Sequence, residues 1–79
     1  MTNEIDISKI DEAALALLFL SMHSDGSLTR AWKGIDWEVM NRLCEKGYIL
    51  DPKNKAKSVV VTKEGEAKSE ELFTQLFGK

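Results

Sequence analysis

Apolar residues crowd one stretch of the chain and recur at helical intervals in two others. From Ala13 to Leu20 every position is apolar, AALALLFL. This predicts a core helix over about Lys9–His23, opened by Ser8 with Asp11 three residues on in the manner of a capping box. Two turns without a polar face need cover on more than one side. In the stretch from Trp37, residues Val39, Met40, Leu43 and Cys44 share one stripe, while Glu38, Asn41, Arg42 and Glu45 lie opposite. Asp36 suits the N-cap, and Gly47 after Lys46 suits a left-handed stop from which Tyr48 reaches back toward Leu43.

Beyond that stop the spacing changes. Tyr48–Leu50 and Ser58–Thr62, with three consecutive valines, predict two strands joined by a polar turn through Pro52 and Asn54. Thr62 then caps a last helix with Glu64 and Glu66 in its first turn and a stripe of Leu72, Phe73, Leu76 and Phe77. Between the first helix and Trp37, Ser27–Lys33 predicts one short helical turn ending at Gly34, with Trp32 as its anchor in the core. The expected fold is α+β and winged helix-turn-helix-like. It has three main helices and a two-stranded β-hairpin wing, in a single domain spanning residues 1–79.

Composition changes this picture little, and charge changes it more. The chain is 43% hydrophobic and 30% charged, as ordinary globular domains are. Its net charge of −2 does not suit a protein that coats nucleic acid without selectivity. The charge is polarised, however. Residues 1–25 carry Glu4, Asp6, Asp11, Glu12 and Asp25 against Lys9, a net of −4; residues 42–57 carry Arg42, Lys46, Lys53, Lys55 and Lys57 against Glu45 and Asp51, a net of +3. A single cysteine, Cys44, and an acidic start without a basic signal flank predict a cytoplasmic protein. The longest apolar run falls far short of the roughly 20 residues of a membrane-spanning helix.

The run from Ala31 to Gly65, AWKGIDWEVMNRLCEKGYILDPKNKAKSVVVTKEG, resembles a family of short bacterial proteins of unknown function. The likeness extends over nearly the whole chain, from IDEAALALLFL to ELFTQLF, and is most specific at Ala31–Gly34 and Lys55–Ser58. It implies a fold pattern without an activity. The segment RLCEKGYI, the hairpin and TKEG are more distantly similar to winged-helix transcription regulators. That is a signature of fold rather than of binding. Two features depart from the regulators: the second helix is short, and the exposed face of the third is not strongly basic.

The candidate chemistry is that of a nucleic-acid contact. Lys53, Lys55 and Lys57 alternate on the wing, where they suit phosphates and would give salt-dependent affinity; the plainer reading is a solvated hairpin tip. Asn41 and Arg42 have the donors and acceptors that read adenine and guanine edges, and Lys46 closes the same helix. Against this, Glu38 and Glu45 flank Arg42 at ion-pairing distance along the helix and would repel phosphates. Trp32 and Trp37 suit stacking on bases, or more simply core packing. His23 and Cys44 lack the spacing of a metal site, and no nucleophile with an adjacent base or glycine-rich phosphate loop is present. The expectation is therefore no enzyme, no metal and no cofactor.

Two functions follow as expectations. The first is a small DNA-binding protein or transcription regulator acting on double-stranded DNA through Asn41, Arg42, Lys46, Lys53, Lys55 and Lys57. The alternative is a protein-protein interaction module on the same scaffold, without nucleic acid. Under either, the second side of the first helix is covered by the chain's own last helix and ribbon, or by a homodimer through Leu17, Leu18, Phe73 and Phe77.

Overall fold

A computed structural model describes residues 5–32, 34–53 and 57–78. The chain runs through α1 (Ile7–Leu18), a 3-10 turn (Phe19–Ser21), β1 (His23–Asp25), β2 (Leu28–Trp32), α2 (Trp37–Glu45), β3 (Ser58–Val61) and α3 (Lys63–Phe77). The α+β class and the three helices stand as expected. The sheet does not: it has three antiparallel strands in the order β1-β2-β3 rather than a two-stranded ribbon.

The local signals at α2 and α3 are realised in hydrogen bonds. Asp36 accepts from the Glu38 N–H at 3.1 Å. At the other end Gly47 has φ +82°. The Tyr48 N–H reaches the Leu43 carbonyl and the Gly47 N–H reaches the Cys44 carbonyl, each at 3.0 Å, the paired pattern of a glycine-terminated helix. Thr62 caps α3 by accepting from the Gly65 N–H at 2.9 Å.

The first helix is shorter than expected and starts earlier. Asp6, not Ser8, caps it by accepting from the Lys9 N–H at 3.2 Å, and the helix gives way to the 3-10 turn before His23, which opens β1. The short helical turn expected at 27–33 is instead β2. Gly26, with φ +66°, turns the chain so that Asp25 pairs with Leu28 and His23 with Arg30. β2 then pairs with β3 from Thr29–Val61 to Trp32–Ser58. Alternation along β2 points Ala31 inward and leaves Trp32 57% exposed, so Trp32 is not the expected core anchor. Trp37 lies outside the stripe of Val39, Met40 and Leu43, and it too is exposed.

The strand expected at Tyr48–Leu50 contracts to one bridge, Ile49 to Val61, flanked by bonds from the Leu50 N–H to the Val60 carbonyl (2.9 Å) and the Thr62 N–H to the Tyr48 carbonyl (3.0 Å). β3 is thus held on both sides, and its inward Val59 and Val61 join Ile49 and Ala31 in the core. The core closes over Leu15 and Leu18 of α1, Met40 and Leu43 of α2, and Leu72 of α3. α3 packs chiefly on α1. Buried Ser69 donates to the Leu15 carbonyl at 2.7 Å, a contact that only a small side chain allows.

α2 and α3 cover α1 on two flanks, and a third side of the apolar run stays open. Ile10, Leu17 and Leu20 are 42%, 46% and 69% exposed. Leu18 is buried among the core residues and is therefore not available to the dimer contact expected of it. No helix among the described residues is long and apolar enough to cross a membrane.

Candidate functional site

The residues expected on nucleic acid divide into two groups. Arg42 and Lys46, one turn apart on α2, both turn to Asp11 in the middle of α1. Arg42 Nε donates to both carboxylate oxygens of Asp11 at 2.9 Å, and its Nη2 lies 2.8 Å from Oδ1. Lys46 Nζ donates to Oδ2 at 2.9 Å. Asp11 is 2% exposed, while the side chains of Arg42 and Lys46 remain 30% and 42% exposed. A buried carboxylate is thus satisfied by two cations that reach it from the protein surface.

Electrostatics follows from that geometry. The hydrogen bonds from Arg42 hold the Asp11 carboxyl below its ordinary pKa; burial opposes this, and Lys46 adds to the lowering. Arg42 is raised in turn, chiefly by its bonds to Asp11. The ion pairing of Arg42 expected along α2 is overtaken by this contact between helices, with the charge of Glu38 still contributing to the raised Arg42. Three charged groups with a net of +1 therefore tie α1 to α2. Asp11 and Lys46 border a cleft of about 260 Å³ on one side, with Glu12, Tyr48 and Lys68 around it, while Arg42 lines a separate groove beside Asp36 and Glu38.

The other expected residues lie apart from that cluster. Asn41 is half-buried and lines a shallow groove with Cys44, Glu45, Asp51, Pro52 and Lys53. Lys53 is exposed in the turn after α2, where its N–H bonds to the Asp51 carboxylate at 2.8 Å. Lys57 is exposed at the entry to β3, and Lys55 lies outside the described residues. Cys44 is a half-buried free thiol.

One feature lies outside the sequence expectation, and another is wider than it. The capping role expected of Asp11 is not the one it has: Asp11, Ala14, Leu15 and Leu18 share the spacing of one buried face, and that spacing is the signal in the sequence for a partnered core charge. The apolar surface is expected in part, at Leu17 and Phe77, and extends further than that. Ile5, Ile7, Ile10, Leu17 and Leu20 of the α1 region, with Leu76 and Phe77 of α3, all stand substantially exposed. The Phe19, Phe73 and Phe77 rings step outward between α1 and α3 at centroid distances of 5.1 and 5.2 Å, ending at half-exposed Phe77.

Residues 6–79 match the family described as a domain of unknown function (DUF6429). The chain belongs to this family. It is also 55% identical over 74 residues to an uncharacterized protein, y4hR, of Sinorhizobium fredii (strain NBRC 101917 / NGR234), covering 94% of this chain and 96% of that relative. No solved structure matches the chain. The family match takes in α1, the sheet, α2 and α3, and so includes Asp11, Arg42 and Lys46 together with the exposed apolar residues of both outer helices.

Proposed function

We propose that the chain is a non-catalytic protein-protein interaction module that acts as a homodimer. The observation that carries this reading is the apolar surface left on the two packed helices: Leu17 and Leu20 remain exposed on the open side of the α1 region, and Leu76 and Phe77 at the end of α3. Soluble monomers tend to avoid contiguous apolar patches of more than a few hundred Å². Burying roughly 600 Å² of apolar surface between two copies would supply roughly 15 kcal/mol before association costs of roughly 4–15 kcal/mol. Of the four residues first expected in this contact, Leu17 and Phe77 are the exposed ones; Leu20 and Leu76 take the places of buried Leu18 and of Phe73, which is partly buried against the core.

Sedimentation equilibrium from micromolar to millimolar protein tests the proposal. A mass near twice 8.9 kDa, reduced toward 8.9 kDa by Leu17→Asp, is expected. A mass of 8.9 kDa throughout would overturn the dimer.

Exposed Lys53 and Lys57 support a second reading, a reduced winged-helix DNA-binding protein in a cytoplasmic setting. That reading draws its affinity from these lysines and Asn41, because Arg42 and Lys46 are engaged by Asp11. Titration with mixed duplex DNA at about 50 mM salt separates the two. Micromolar affinity that falls steeply with salt would favour DNA, and affinity no better than millimolar favours the interaction module.

A further inference from the structure

A second apolar groove lies at the opposite end of α1 from Leu20. Ile5, Ile7 and Ile10 form one wall and Val39 of α2 the other, around a volume of about 450 Å³. Ile5 and Ile7 are 70% and 53% exposed. The rim is acidic: Asp36 and Glu38 border the groove, and half-exposed Trp37 lies between them in the chain. Arg42 also borders it, but its guanidinium is directed to Asp11 at 2.8–2.9 Å. Arg42 is thus engaged chiefly by Asp11 and, through their charges, by Glu38 and Asp36 as well; Asp36 also caps α2 through the Glu38 N–H, and these two carboxylates keep the opening acidic on balance.

We infer that this groove docks a cationic, amphipathic segment of another protein, its apolar residues on the isoleucines and its Lys or Arg side chains on Asp36 and Glu38. The arrangement suits a helix laid in a groove, where apolar anchors give affinity and rim charges choose the partner. A second copy meeting the groove with this same face would set Asp36 and Glu38 against themselves, and a copy meeting it with its basic segment 42–57 is an outcome that the test separates. The inference rests on the interaction-module reading but uses residues other than Leu17, Leu20, Leu76 and Phe77, so each surface can fail alone.

The test uses the full chain and two synthetic amphipathic helices of about 18 residues, roughly 27 Å long, one Leu/Lys and one Leu/Glu with the same apolar pattern. Calorimetric titration, with amide shifts mapped by NMR, is expected to show the Leu/Lys peptide binding at least about tenfold tighter than the Leu/Glu peptide. The shifts should centre on Ile7, Ile10, Glu38 and Val39. Glu38→Lys and Ile7→Ser, both at exposed positions, should each weaken binding about fivefold or more, and Leu17→Asp should leave it intact. Equal binding of both peptides, shifts centred elsewhere, or indifference to both variants would overturn the inference. So would loss of the dimer on Ile7→Ser, because a second copy would then be the occupant. Monomeric wild-type protein that still binds the Leu/Lys peptide at this groove would support the inference and overturn only the homodimer.

Discussion

Removing the carboxylate of Asp11 leaves two cations facing a neutral group, but both reach solvent and can rehydrate. The penalty is therefore smaller than for a charge stranded in the interior, and Asp11→Asn is expected to cost about 1–3 kcal/mol of unfolding free energy at pH 7. Urea denaturation of the two proteins measures it. The pH dependence has a fixed sign. Asp11 is held below the ordinary aspartate pKa of about 3.9, so the folded state binds its proton less readily than the unfolded state. Its contribution is fully present above that unfolded value and is lost as pH falls through the lower folded value. The gap between wild type and Asp11→Asn should thus stay constant from pH 7 to about pH 5 and close only below about pH 4. A gap that shrinks on raising the pH toward 7 would mean that the pair does not act as described. Asp11 also marks where residue-level inference stopped short. Its place on the buried face was legible from spacing, whereas its partners, 31 and 35 residues away, depend on how α2 lies against α1.

At the scale of elements, one joint holds the end of α2, the core bridge and the start of α3 together. The Thr62 hydroxyl donates toward the Gly47 and Tyr48 carbonyls at 2.7 and 3.1 Å and accepts from Gly65. Gly65 is buried against this joint, and a methyl group there would overlap the Tyr48 backbone carbonyl. Gly65→Ala is expected to destabilise by about 2 kcal/mol, despite the roughly 1 kcal/mol that alanine gains over glycine in a helix. Thermal unfolding followed by circular dichroism checks this, and a stabilised variant would refute the packing. Caps and stops of this kind were readable in advance because they depend on neighbours a few residues apart: Asp36, Gly47 and Thr62 all behave as their local chemistry requires. β2 was misassigned because Ser27–Lys33 is compatible with a short helical turn, and only pairing with Val59–Val61, distant in sequence, makes it a strand. The Asp25-Gly26 pair was the local hint of a hairpin. Both tryptophans then fall outside the core for geometric reasons, one by strand alternation and the other by its place off the α2 stripe.

For the whole molecule, the unresolved economy is that of the apolar run AALALLFL, which the pattern alone marked as needing two-sided cover. The monomer covers it with α2 and α3 and still leaves Leu17 and Leu20 wet. If two copies complete that cover, folding and association are linked, and apparent stability depends on protein concentration. A hundredfold rise in concentration favours the folded dimer by about 2.7 kcal/mol. Spread over the unfolding entropy of two domains of this size, that corresponds to an increase in melting temperature of roughly 5–10 °C. Differential scanning calorimetry from about 10 μM to about 1 mM should record this shift for the wild type. Leu17→Asp removes an exposed apolar contact and leaves the buried face of α1 untouched, so its melting temperature should stay flat over the same range. A wild-type melting temperature independent of concentration over this range would mean that the protomers are already separate at the transition and fold without help from the interface.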